Sequence, residues 1–320
     1  MSKASDARTR QIEKVISHIG KKAKKEDAAL LESFITHYYS AVAVEDLLER
    51  SPADLYAAAV AHFEFARKRT PGKPRIRIYN PSTRGEAYKS THTIVEMVND
   101  DMPFLVDSTS MALAKHGYAV HLTIHPIFKV IRDKRGELEQ IVAPHEDLVG
   151  AQQESFIRVE IDRETSMSDI AALEAELAAY MDDVRAAVED WAAMRGKASE
   201  IVNLLSKQQP PLPAEEVTEG IKFIDWLVHN LFTFLGYREY DLVRENGEDI
   251  LRTVPGTGLG ILRNSADKSQ SFMVLPQDIR EKARAKELLI ITKANSIATV
   301  HRPSYLDYIG IKRFIPLFSE

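Results

Sequence analysis

The sequence predicts an α+β protein in three parts: a helical lead segment, an antiparallel sheet carrying helices, and a second mixed α/β domain. Three observations predict it. Apolar residues recur at helical spacing over the first 70 positions, and from Arg75 the period shifts toward two. A proline-rich tract, SKQQPPLPAEE, then separates the sheet-forming stretch from a further run of helix and strand. At 320 residues the chain also exceeds one typical domain of roughly 100–200.

Composition narrows the function classes. The hydrophobic fraction of 44% and charged fraction of 28% are those of a globular protein, not a disordered or fibrous one. Lys and Arg number 42 against 47 Asp and Glu, a net charge of -5, which argues against a nucleic-acid partner. With no cysteine, disulfides, thiolate nucleophiles and iron–sulfur ligation are excluded. No stretch of about 18 apolar residues occurs, so no membrane span is expected. The opening MSKASDARTRQIEKVISHIG lacks the apolar core of a secretory signal. The expected location is the cytoplasm.

Helices come first. Ile12, Val15, Ile16 and Ile19 share one face, as do Leu30, Leu31, Phe34, Ile35 and Tyr38. Up to Lys25 the segment has a local excess of six positive charges. No aromatic residue lies among them to stack on bases, so they read as a solvated helix face. Ser51 at the N-cap, Pro52 at N1 and Asp54 at N3 open a clearer helix carrying Leu55, Ala59 and Phe63. It stops at Thr70-Pro71-Gly72, which closes a helical segment, 1–72.

IRIYN and THTIVEMVN then alternate as strands. The turn NDDMPFLVDS leads into a helix from Pro103 through Met111 to Lys115, capped near Gly117. YAVHLTIHPIFKVIRD predicts a long strand bent at Pro126, with RDKRGE as a hairpin turn, LEQIV as the return and SFIRVEID as another strand. Ile170, Leu173, Leu177, Met181, Val184, Val188 and Trp191 predict one helix with its apolar face on the sheet. The order β-α-β-β-α matches the split βαβ, or ferredoxin-like βαββαβ, sandwich over 73–196.

Residues 197–212 read as a linker and 213–320 as the second domain. Val217, Ile221, Ile224, Val228 and Leu231 mark its first helix. FTFLGYREYDLV, ILRTV, LLIITK and SIATVHR mark strands, with a short helix near Gln277 to Lys286. IGIKRFIPLFSE looks like a strand-bearing segment that breaks off, so this domain is expected to be incomplete at its C-terminus.

Chemical motifs are sparse. His121 and His125 have a metal-binding spacing for a helix, but Val120, Thr123 and Ile124 favour a strand, where four residues span about 13 Å. The string PGTGLGIL places Gly256, Gly258 and Gly260 as GxGxG, which is not the dinucleotide fingerprint, and reads as a glycine-rich hairpin or loop. No GxxxxGK[ST], GxSxG or HExxH occurs. No catalytic, cofactor-binding or metal-ligating residue is therefore assigned. The distinctive segment is Asn99 to Ser108, where a turn feeds a helix whose first N–H groups lack partners and attract carboxylates. Capping by Asp100 or Asp101 is the reading favoured on local grounds.

The stretch MVNDDMPFLVDSTSMALAKHGYAVHLTIHPIFKVIRD resembles the N-terminal region of the large bacterial type of NAD-specific glutamate dehydrogenase. SPADLYAAAVAHFEFA, RIRIYNP, FIDWLVHNLFTFLGYREYDL, PGTGLGILR and HRPSYLDYIGIKRF are similar to further blocks of that region in the same order. The resemblance implies an ACT-like domain followed by a PAS-like domain. Its catalytic domain would lie far downstream, with NAD bound there and no cofactor bound by these residues. It also implies a homo-oligomer whose partners are the remainder of the parent polypeptide, and a possible amino-acid effector.

ACT domains bind amino acids at a strand-to-helix loop that often reads D-x-P-G-L-[LI]. The matching positions here are Asp101, Met102, Pro103, Phe104, Leu105 and Val106, with Phe104 where the motif has glycine. A phenylalanine crowds the approach to backbone N–H groups. The loop Asp101–Phe104 is therefore expected to be an effector or interface loop, with the interface role favoured. The function implied is the regulatory and assembly portion of an NAD-dependent glutamate dehydrogenase, itself non-catalytic. The alternative is a free-standing amino-acid sensor or adaptor with no enzyme attached.

Overall fold

The computed structural model describes residues 3–22, 27–81, 90–143, 145–207, 210–245, 248–263, 273–274 and 285–314. The chain divides into two compact units, Met1–Met181 and Asp182–Glu320.

The first unit opens with five helices: α1 (Lys3–Ile16), α2 (Ile19–Lys22), α3 (Ala28–Tyr38), α4 (Val44–Leu48) and α5 (Pro52–Ala66). The α5 start is the one the sequence predicts. Ser51 Oγ accepts the Asp54 N–H at 3.1 Å and donates to the Asp54 carboxylate at 2.6 Å.

Strands β1 (Arg75–Tyr79) and β2 (Thr93–Asp100) precede α6 (Leu105–Lys115). Then come β3 (Val120–Ile124), β4 (Ile127–Arg132), β5 (Leu138–Val142), β6 (Gln152–Ile161) and α7 (Met167–Glu189). The six strands form one antiparallel sheet in the order β1-β2-β6-β4-β5, with β3 also on β6. Strands β3 and β4 are two halves of one line along β6, interrupted at Pro126, because proline cannot donate to the ladder. The bent strand and its hairpin return are thus as the sequence predicts.

Strands β2 and β6 are buried on both faces. Val98 and Phe156, opposite each other in register, enter one core with Phe34, Ile35, Tyr38, Leu55 and Phe63 of the lead helices. Phe34 stacks on Phe128 at 4.8 Å and meets Phe63 edge-on at 5.2 Å. The segment expected to stand before the sheet domain therefore packs onto the sheet itself. Helices α6 and α7 lie side by side, Glu176 accepting from Lys115 and His116 at 2.6 Å each. They bury Leu105, Ala112 and Leu113 from one helix and Ile170, Leu173 and Leu177 from the other.

The βαββαβ expectation needs one correction. No strand follows α7 directly; a helix does. The edge beside β2, where the fourth strand of a ferredoxin-like sheet would pair, is filled by β1, which comes earlier in the chain. Periodicity identifies strands but carries no information on which edge they join.

Two buried carboxylates are held by cations. Glu154 is gripped by Arg132 at 2.7 Å from both Nε and Nη2, and by Arg69 Nη2 at 2.8 Å. Glu96 pairs with Arg158 and, at 2.8 Å, with Arg77 Nε. Burial opposes charge on Glu96, but neighbouring His62, Arg158 and Arg77 overrule it and hold its carboxyl below the ordinary value.

In the second unit, α8 (Trp191–Lys207) and α9 (Ala214–Trp226) share a core of Ala198, Leu205, Ile224 and Leu288. A π-helical turn, Leu227–Leu231, follows α9. Its strands are β7 (Gly236–Tyr237), β8 (Tyr240–Glu245), β9 (Glu248–Thr253), β10 (Leu259–Gly260), β11 (Met273–Val274), β12 (Leu289–Ile297) and β13 (Tyr305–Ile311). They pair antiparallel as β10-β7, β11-β9-β8 and β12-β13.

Three expectations change here. The single helix ending at Trp191 breaks at Asp190, whose carboxylate accepts the Gly260 N–H and Arg263 Nε at 2.8 Å each. Trp191, expected in the core, is 38% exposed and stacks on Arg195. Most of the stretch expected as a linker, 197–212, is helical, since α8 runs to Lys207. The short helix expected near Gln277 to Lys286 falls largely outside the described residues.

Candidate functional site

The β2–α6 connection is the loop singled out by the sequence. Strand β2 ends at Asp100, whose carboxylate is taken by the Arg69 guanidinium and by the Gly72 N–H at 3.0 Å. The Asp101 N–H donates to the Gln153 carbonyl at 2.9 Å, tying the loop to the start of β6. Pro103 is exposed, while Asp101, Met102 and Phe104 are half-buried. Chain continuity brings these four residues together at the N-terminus of α6.

Phe104 is the N-cap of α6, and its backbone is left-handed, φ 73° and ψ 2°. That conformation costs a non-glycine residue about 1–2 kcal/mol. The Phe104 side chain has no oxygen to offer the cap. Of the two carboxylates expected to cap the helix, Asp100 is engaged by Arg69 and Gly72, and Phe104 occupies the cap position. The first turn of α6 carries Asp107, a carboxylate at the positive end of the helix dipole.

Beside the loop lies a polar cluster that sequence reasoning did not assemble. His125 Nε2 is 2.5 Å from Ser155 Oγ, and Ser155 faces Asn99 across the β2–β6 register. Burial lowers the His125 pKa, and the negative charge of Asp101 opposes that shift. Ser108, one turn into α6, is buried, and its Oγ has no hydrogen-bond partner among the described residues. These residues are scattered in sequence, and only the pairing of β6 with both β2 and the bent strand collects His125, Ser155 and Asn99.

The other flagged residues separate. His121 bonds Asp162 at 2.8 Å while His125 bonds Ser155, so the HxxxH pair shares no ligand. Among the described residues no group of three or more His, Asp or Glu is placed to hold a metal ion. Gly256 turns with φ 75°, and a Cβ on Gly260 would lie 2.2 Å from the Leu235 carbonyl oxygen, so the glycine string serves close backbone packing. Among the described residues no helix is long and apolar enough to cross a membrane.

A family model for the glutamate dehydrogenase ACT1 domain matches residues 34–177, from within α3 to within α7. An NAD-specific glutamate dehydrogenase of Halomonas elongata is 31% identical over 97% of this chain and 19% of the relative. That of Pseudomonas aeruginosa is 32% identical over 92% of the chain and 18% of the relative. That of Mycobacterium tuberculosis is 24% identical over 66% and 13%. The chain thus spans about a fifth of the first two curated relatives. Its sheet, the flanking helices and the β2–α6 loop all lie within the matched region, and the chain belongs to the NAD-specific glutamate dehydrogenase family as a part containing the ACT1 domain.

Proposed function

We propose that this chain is the regulatory and assembly portion of an NAD-dependent glutamate dehydrogenase. The parent would convert L-glutamate, water and NAD to 2-oxoglutarate, ammonium, NADH and a proton. The observation that carries the reading is the pair of coverages: nearly the whole chain aligns, yet it accounts for about a fifth of each of the first two relatives. Hydride transfer needs a dinucleotide site, and the residues here offer no fingerprint for one. NAD is accordingly assigned to the remainder of the parent polypeptide and no cofactor to this portion. We read the second unit as PAS-like, on the blocks FIDWLVHNLFTFLGYREYDL and PGTGLGILR and on its short antiparallel strands beside α8 and α9.

Within this reading the loop Asp101–Phe104 is an interface element of a homo-oligomeric parent, and any amino-acid effector binds elsewhere or weakly here. A half-buried phenylalanine in a strained cap gains more from a neighbouring apolar surface than from lining a polar slot. Antibody against this chain should detect a polypeptide several times its 36.1 kDa, with glutamate-dependent NAD reduction co-purifying. A 36.1 kDa species without that activity would instead establish a free-standing adaptor. In the full-length protein, Phe104→Gly should shift the oligomer distribution in light scattering and leave amino-acid response unchanged. Loss of amino-acid response with assembly intact would make the loop an effector site.

A further inference from the structure

The segment RKRTPGKPRIR, residues 67–77, holds six cationic side chains and no acidic one. Four of the six meet carboxylates. Arg67 pairs with Asp27 at 2.9 Å and Glu64 at 3.0 Å, and Lys68 with Glu137 at 3.5 Å. Arg69 pairs with Glu154 and Asp100, and Arg77 with Glu96. Among the described residues Arg75 and Lys73 have no carboxylate partner.

Arg75 is nevertheless held in place. Its Nη1 donates to the Lys68 carbonyl, and its guanidinium lies over the Phe65 ring at 4.6 Å. Arg77 lies over the same ring at 4.5 Å, so two like charges share one aromatic ring. Partial burial, then the charges of Arg77 and Arg132, push Arg75 below the ordinary arginine value, with Glu137 opposing. Anchoring one carbonyl does not require this arrangement, since a neutral donor would do so without the repulsion. What the arrangement leaves is a preoriented fork whose Nε and Nη2 have no hydrogen-bond partner among the described residues.

We propose that Arg75, with Lys73 two residues before it, binds the phosphoryl group of a small soluble phosphate ester. A planar guanidinium fork matches two oxygens of such a group, and the lysine supplies a point charge for the third. Two unneutralised cations suit a dianion better than a monoanionic carboxylate. The net charge of -5 is no obstacle, because the attraction is local and distant surface charges are screened.

The test uses the whole 320-residue chain with inorganic phosphate and pyrophosphate as probes, titrated by calorimetry at ionic strength matched with NaCl. Saturable binding is expected, tighter for pyrophosphate. Arg75→Gln should weaken it at least tenfold and Lys73→Gln several-fold. Arg135→Gln, at an exposed residue paired with Asp133 at the hairpin tip, should leave it unchanged. No binding beyond the NaCl control, or equal loss in all three variants, overturns the proposal. A parallel arm uses phosphatidylserine vesicles: Arg75-dependent vesicle binding without pyrophosphate binding would make the site a lipid-headgroup contact and also overturn it. Should Arg75→Gln fail to fold by circular dichroism, the exposed Lys73→Gln decides alone, an unchanged affinity rejecting the site.

Discussion

At the residue scale, His62 shows how burial fixes a protonation state. It is fully buried on α5, its Nε2–H donating to the Met97 carbonyl at 3.3 Å and its Nδ1 accepting from Tyr38 O–H at 2.9 Å. Burial lowers its pKa from 6.5 to about 4, with Arg158 and Arg77 reinforcing the shift and Glu96 opposing it. Unfolding restores the ordinary value, so between those two values the unfolded chain binds the extra proton. Stability from this group is therefore full above about pH 6.5 and falls as the pH drops below it, by about 2 kcal/mol at pH 5. Urea melts at pH 7.5 and 5 should show that loss, and His62→Gln should remove most of it. A variant as pH-sensitive as the parent would contradict the assignment. The Ser51 cap was legible because serine, proline and aspartate announce a helix start. The left-handed Phe104 was not, because nothing in a phenylalanine signals positive φ.

At the element scale, α7 separates what periodicity reveals from what it hides. Leu177 is buried, as its place in the apolar stripe predicts, whereas Trp191 lies past a break and is exposed. Leu177→Ala should cost about 2–5 kcal/mol in denaturant melts, and Trp191→Ala less than about 1 kcal/mol. Equal effects would mean that the two residues share one buried face after all. The break could not be read from spacing because the residues on either side keep the helical rhythm. Its signature is tertiary: Asp190 accepts bonds from Gly260 and Arg263, 70 and 73 residues away. The bend at Pro126 was legible for the opposite reason, since a missing N–H is a covalent fact.

At the scale of the whole molecule, the lead helices and the sheet share a core, and the ACT1 match begins at residue 34, within those helices. The sequence places a boundary between them at Thr70-Pro71-Gly72 because a helix stop resembles a domain boundary when long-range packing is unseen. The same limit hid the polar cluster at His125 and Ser155, which exists only through strand register. The purified chain is expected to produce no NADH from glutamate and NAD, and to show no micromolar NAD affinity by calorimetry. Glutamate-dependent NADH above background would relocate catalysis into these residues.

The central pairing of β2 with β6 also has a kinetic meaning. Its nearest partners in sequence, Asp100 and Glu154, bracket α6, β3, β4 and β5. The chain must close that long loop before the strands best buried in the sheet gain anything from meeting, and closure entropy grows with loop length. Helices and the β4–β5 hairpin assemble from neighbours and reward themselves early. Such a topology favours slow folding with a late, non-local rate-limiting step. During synthesis, β2 would wait for β6 to emerge with the edge that β6 covers left unpaired.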